Sequence, residues 1–350
     1  MSASGSQPGP WGARDSPPAG SAPVAMTARA KAAGPGLKAT DFLAAQRANR
    51  RNTVWLIAIL LTLGGSFGYL LGLLAEANFA PDFDAFAPSR FGVVGAVVFV
   101  GIGAAASLVT FAAGDRVIVG MTGAREVSAA DEPVLHNVVE EMAIASGLPK
   151  PRLVVIDTPA MNAFATGMRP DRAALGVTRG LLDGLSRDEL QGVVGHEMSH
   201  IANLDTRYLT AVAILVGLIG LVADATRRSL FYSGRRQRRG RAAAPLIAIL
   251  LLFSILAPIA AMLVRFAVSR QREYLADATA VRFTRNPTGL IGALQKLEAS
   301  VQPFAGANRA TQHMFIVNPF RDFAGNVSAL MATHPPIANR IERLQNLGAD

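Results

Sequence analysis

Cysteine is absent from all 350 residues. That excludes a disulfide framework, a thiolate metal site and a cysteine nucleophile, so any metal must sit on His, Asp or Glu. Charge is scarce as well: 17% of residues are charged against 51% hydrophobic, a balance too apolar for a soluble protein. Acidic residues are the rarer sign, 25 against 34 basic, for a net charge of +9. Such an excess suits nucleic acid or a membrane surface. Aromatics reach only 7%, no aromatic-basic RNA or DNA motif accompanies the arginines, and those arginines lie beside apolar runs. Headgroups and topology account for them, and no nucleic-acid partner is expected. No internal repeat is evident.

The chain divides by texture. Residues 1–37 are Gly, Pro, Ala and Ser with scattered charge, too little apolar surface to offset the entropy of ordering, and read as a disordered tail. Residues 38–114 hold two uncharged apolar runs, 54–75 and 91–114, of 22 and 24 residues; each is long enough to cross a bilayer of roughly 30 Å. The first is too long and too far from the N-terminus for a cleaved signal peptide. Arg47, Arg50 and Arg51 precede it, whereas the loop after it carries Glu76, Asp82 and Asp84 against Arg90. The loop is therefore expected outside, and the chain from about Arg116 on the cytoplasmic side.

From 115 to 207 the pattern is that of a folded domain: an amphipathic helix in "DEPVLHNVVEEMAIASG", then short strands in "PRLVVID", "NAFATG" and "AALGVT". Ser186 and Glu189 form a capping box that starts a helix ahead of "GHEMSH". Residues 208–264 read as a helical hairpin, its apolar runs 208–223 and 246–264 joined by a connector with seven arginines between Asp224 and Arg241. Either both runs span, against the positive-inside rule, or the hairpin stays on the domain's side. In both cases residues 265–350 return to that side.

HExxH fixes three positions, and alone it separates poorly from a helix that happens to carry two histidines. On a helix, His196 and His200 share a face and can bind one ion at about 2.1 Å, with Glu197 placed to take a proton from water. A third ligand must come from elsewhere. "SRQREYLADATAVRF" offers Glu273 and, one turn on, Asp277, which can ligate and orient a ligand respectively. The same residues also read as a solvated, ion-paired helix face. His136 and His313 lack a partner at ligand spacing and read as packing residues.

"MNAFATG", "GHEMSH", "SRQREYLADATA" and "THPPIANRIERL", in this order, resemble the HtpX-like membrane zinc endopeptidases, relatives of the CAAX prenyl proteases. The resemblance runs from about Asp131 to Leu344; the Pro/Gly-rich tail and the arginine-rich connector depart from it. It implies a mainly α fold with a small β-sheet, a membrane-anchored thermolysin-like (gluzincin) core with two to four transmembrane helices. It implies one Zn2+ per chain on His196, His200 and Glu273, with Glu197 as general base and Asp277 behind the ligands. Asn162 and Ala163 are then candidate contacts to the substrate backbone, His334 a donor to the oxyanion, and Arg340 a donor to a neighbouring peptide carbonyl. Partners would be membrane lipids and protein or peptide substrates, in particular misfolded or unassembled membrane proteins. The location would be the inner cell membrane, multi-pass, with the catalytic part facing the cytoplasm. CAAX-type processing of prenylated proteins and a non-catalytic membrane scaffold are the rival readings.

Topology can be tested directly because the chain lacks cysteine. A cysteine at Ala85 should react in intact cells with a thiol reagent that cannot cross membranes, whereas one at Ser233 should not. Labelling at both would place the arginine-rich connector outside.

Overall fold

A computed structural model of the chain describes residues 39–79, 88–214, 270–300, 302, 304, 310–317 and 335–347. The tail 1–37, the loop tip with Asp82 and Asp84, the arginine-rich connector, the run 246–264 and His334 lie outside them; the run 208–223 is described to residue 214.

Two long helices come first, α1 (Ala39–Phe79) and α2 (Arg90–Thr122). Among the described residues these are the two helices long and apolar enough to cross a membrane, over Leu43–Leu73 and Arg90–Thr122. Glycines let them touch: a Cβ on Gly68 would stand 2.2 Å from the Gly95 carbonyl oxygen, and one on Gly95 2.1 Å from that of Gly68. Without a hydrophobic drive between helices in lipid, such backbone approach supplies the packing. Both helices outrun the apolar runs that announce them. The start of α1 carries Gln46 and Asn49, whose side chains dock onto the rest of the chain. The end of α2 kinks at Ala113 (φ −144°, ψ 18°) and continues to Gly123, whose positive φ closes the helix. Asp115 there pairs with Arg152.

The sheet has strands β1 (Arg125–Glu126), β2 (Arg152–Ile156), β3 (Ala163–Thr166) and β4 (Ala174–Thr178) in the order β1-β2-β4-β3. β2 runs parallel to β4, and β1 and β3 are antiparallel to their neighbours. Its inner residues Leu153, Val155, Leu175 and Val177 pack with Leu135 and Val138 of α3 (Pro133–Ser146). The short α4 (Arg179–Gly184) leads into α5 (Arg187–Ala202), which begins at the capping box anticipated from Ser186 and Glu189. Residues 205–214 form the described part of α6. Helices α7 (Arg270–Thr284), α8 (Pro287–Ala299) and α9 (Ile337–Leu347) follow among the described residues.

α5 lies at the centre. Its Leu190, Val193, Val194, Met198 and Ile201 join the core with Leu290 and Leu294 of α8 and Leu344 of α9. Gly192 admits α8 at close range, since a Cβ there would meet the Leu290 nitrogen at 2.6 Å. The mainly helical class with one small sheet thus agrees with the sequence pattern.

If the glycine contact holds α1 to α2, Gly68→Val should destabilise detergent-solubilised protein by about 1–3 kcal/mol, the scale of overpacking. Gly101→Ala, with nothing among the described residues within 4 Å of the added Cβ, should leave thermal unfolding unchanged. Equal behaviour of the two variants would contradict the packing account.

Candidate metal centre

The core stripe of α5 turns its other side, with His196, Glu197 and His200, toward α7. All three are buried, as are Glu273 and Asp277 on α7. The Nε2 atoms of His196 and His200 stand 3.2 Å apart. Glu273 Oε2 lies 3.6 Å from the first, and its Oε1 3.7 Å from the second. Ligands about 2.1 Å from a tetrahedral metal sit about 3.4 Å from one another. One atom from each of His196, His200 and Glu273 lies within 4.8 Å of the others, so donor chemistry and spacing both fit a metal ion. Glu197 adds to the case: its buried Oε2 has no hydrogen-bond partner among the described residues.

Each histidine is held from behind. His196 Nδ1 faces Asp277 Oδ1 at 2.9 Å, and His200 Nδ1 faces Asp205 Oδ2 at 2.9 Å. A carboxylate accepting from Nδ1 fixes the tautomer and presents the lone pair of Nε2 to the centre. Arg340, fully buried, donates from Nε (2.9 Å) and Nη2 (2.6 Å) to Asp277. The bidentate geometry locks that carboxylate in turn.

The charges answer to this packing. Burial works to raise Asp277, yet Arg340 and His196 hold it below the usual carboxylate range. Burial, and then the Arg340 cation, push His196 down. Burial also works to lower His200, but Asp205, Glu273 and Glu197 override it and push it up to about 9. Glu197 is driven up to about 7, by burial above all and despite the cations and the Ala165 backbone N–H.

The structure brings together His196, His200, Glu197, Glu273 and Asp277, so the solvated-face reading of α7 fails at Glu273 and Asp277. Asn162 and Ala163 stand at the edge of the sheet, where the chain's own segment meets them. Ile316 N donates to Ala163 O (3.0 Å), and the Asn162 side chain donates to Val317 O (2.8 Å). Arg340, fully buried, faces Asp277, and its Nη1 stands 3.7 Å from Glu273 Oε2. His136 and His313 contact the carbonyls of Val127 and Leu209. Asp205 is the residue that sequence reading missed. Its one signal is an acidic side chain five residues after His200, at the mouth of an apolar run.

Residues 129–347 match Peptidase family M48. The chain belongs to that family. It is 41% identical over 312 residues to a protease HtpX homolog of Dictyoglomus thermophilum, covering 89% of this chain and 97% of that one. A protease HtpX homolog of Streptococcus uberis is 40% identical over 308 residues, 85% of this chain and 97% of its own. Among solved structures, S. mikatae Ste24p is similar at a TM-score of 0.41 and 16% identity, over 86% of this chain and 66% of that one. The M48 chain is a metalloprotease with a metal-competent group at His196, His200 and Glu273.

Removing either supporting carboxylate should weaken metal binding by about 10- to 100-fold, the usual scale for partners behind a ligand. Asp205→Ala and Asp277→Ala should both show this in chelator competition, with folding checked by circular dichroism. Wild-type affinity in Asp205→Ala would remove Asp205 from the site.

Proposed function

We propose that this metalloprotease is a zinc endopeptidase of the gluzincin type, anchored in the inner cell membrane by several passes and cutting misfolded or unassembled membrane proteins. The observation that carries the chemistry is the convergence of two Nε2 atoms and the Glu273 carboxylate beside Glu197 Oε2, which has no hydrogen-bond partner among the described residues. His196, His200 and Glu273 would hold one zinc. Zinc bound there supplies a Lewis acid and lowers the pKa of water toward neutrality.

The chain's own residues do the rest. Glu197, poised near neutrality, takes a proton from the attacking water and delivers it to the leaving amine. Asp277 and Asp205 keep the imidazoles aimed, and Arg340 keeps Asp277 in place. Asn162 and Ala163 would hold an extended peptide, whose backbone would take the seat now filled by Ile316 and Val317. His334 is assigned to the developing oxyanion because "THPPI" resembles the family's pattern. The arginines before α1 support a cytoplasmic catalytic part, and the substrate class rests on the resemblance to HtpX-like proteases.

Glu197→Gln should keep zinc at the wild-type level while hydrolysis of an unfolded protein such as casein falls by at least about a hundredfold, the reach of a general base. Joint loss of metal and activity would make Glu197 a ligand instead.

A further inference from the structure

The first apolar helix does more than anchor. Asn49, near the start of α1, is 2% exposed, and its amide reaches three separate elements. Nδ2 donates to Asp205 Oδ1 at 2.7 Å and to the Asn203 carbonyl at the end of α5 at 3.0 Å. Its Oδ1 accepts from Arg272 Nη2 at 3.0 Å. Arg272, next to Glu273 in sequence, also places Nε 2.8 Å from Asp205 Oδ1.

Asp205 therefore has one oxygen for His200 and the other held by two donors from different helices. A carboxylate held on one oxygen alone can turn and offer either; gripped on Oδ1 by Asn49 and Arg272, it can present only Oδ2 to the imidazole. A helix that had merely to sit in a membrane and dock would need no such amide. Docking is already served one turn earlier, where Gln46 Nε2 donates to the Ala202 carbonyl at 2.7 Å.

We propose that Asn49 is a positioning residue for His200, acting through Asp205, so that the anchor helix completes the metal centre. The proposal rests on the zinc reading above. It makes the anchor and the metal site one unit: detaching α1 from α5 loosens the metal even where the catalytic part stays folded.

The test uses the full chain in detergent and zinc itself as the probe. Zinc dissociation constants are measured by chelator competition for the wild type, Asn49→Ala, Asn49→Leu and Gln46→Ala, with thermal unfolding of the zinc-free proteins alongside. Asn49→Leu covers the case in which Asn49→Ala folds poorly, because leucine keeps the branched heavy-atom skeleton of asparagine and suits an apolar helix. Both Asn49 variants should bind zinc about tenfold more weakly, the lower end of the scale for indirect partners. Gln46→Ala should stay within about twofold of the wild type, since its side chain makes no contact with the Asp205 carboxylate. Unchanged affinity in the Asn49 variants, or an equal loss in Gln46→Ala, would overturn the proposal while leaving the zinc reading intact. A folded wild-type chain that takes up no zinc would overturn both.

Discussion

Two buried carboxylates, Asp205 and Asp277, decide which way the imidazoles of His200 and His196 face. Everything at the centre follows from that constraint. With Nδ1 engaged on each ring, both Nε2 atoms turn to one point, where Glu273 closes the group. Neither carboxylate could hold its place alone in an apolar surrounding. Arg340 grips Asp277 with two donors, and Arg272 with Asn49 grips Asp205. The group that could hold a metal is thus two histidines and a glutamate, surrounded by side chains from α1, α6, α7 and α9.

So many buried charges are a poor way to stabilise a fold. Taking ions out of water costs several kcal/mol each, and well-packed apolar residues often do as well or better in their place. The retained cluster is explained by chemistry. Burial that would be wasteful in a structural core is what lifts Glu197 to about 7 and sharpens every charge interaction at the site. The surrounding apolar packing of α3, α5, α8 and the sheet supplies the rigidity that the charges do not.

The legible part of this arrangement is the part written locally. HExxH reads directly because helical periodicity puts positions four apart on one face, and Ser186 with Glu189 announces where that helix begins. Glu273 and Asp277 one turn apart were readable by the same rule, although spacing alone favoured a solvated, ion-paired face. Asn49 and Asp205 were not readable. They meet across 156 residues, and nothing in the spacing of either predicts the other. An asparagine before an apolar run looks like a polar flank, and an aspartate after a helix looks like its end. Arg340 was legible as a candidate, but its pairing with Asp277 was not. Its short helix puts it against α7, and which carboxylate its fork would find depends on tertiary packing. The helix ends escaped for a related reason: α1 starts well before its apolar run because polar side chains there have buried partners to meet.

The most direct test of the account is X-ray absorption at the zinc edge on the purified, detergent-solubilised chain. The account predicts one zinc per chain, bound by two imidazole nitrogens and a carboxylate oxygen at about 2.0–2.2 Å, with the signal lost in His196→Ala. A folded chain without zinc, or zinc in an all-oxygen shell unaffected by His196→Ala, would contradict it.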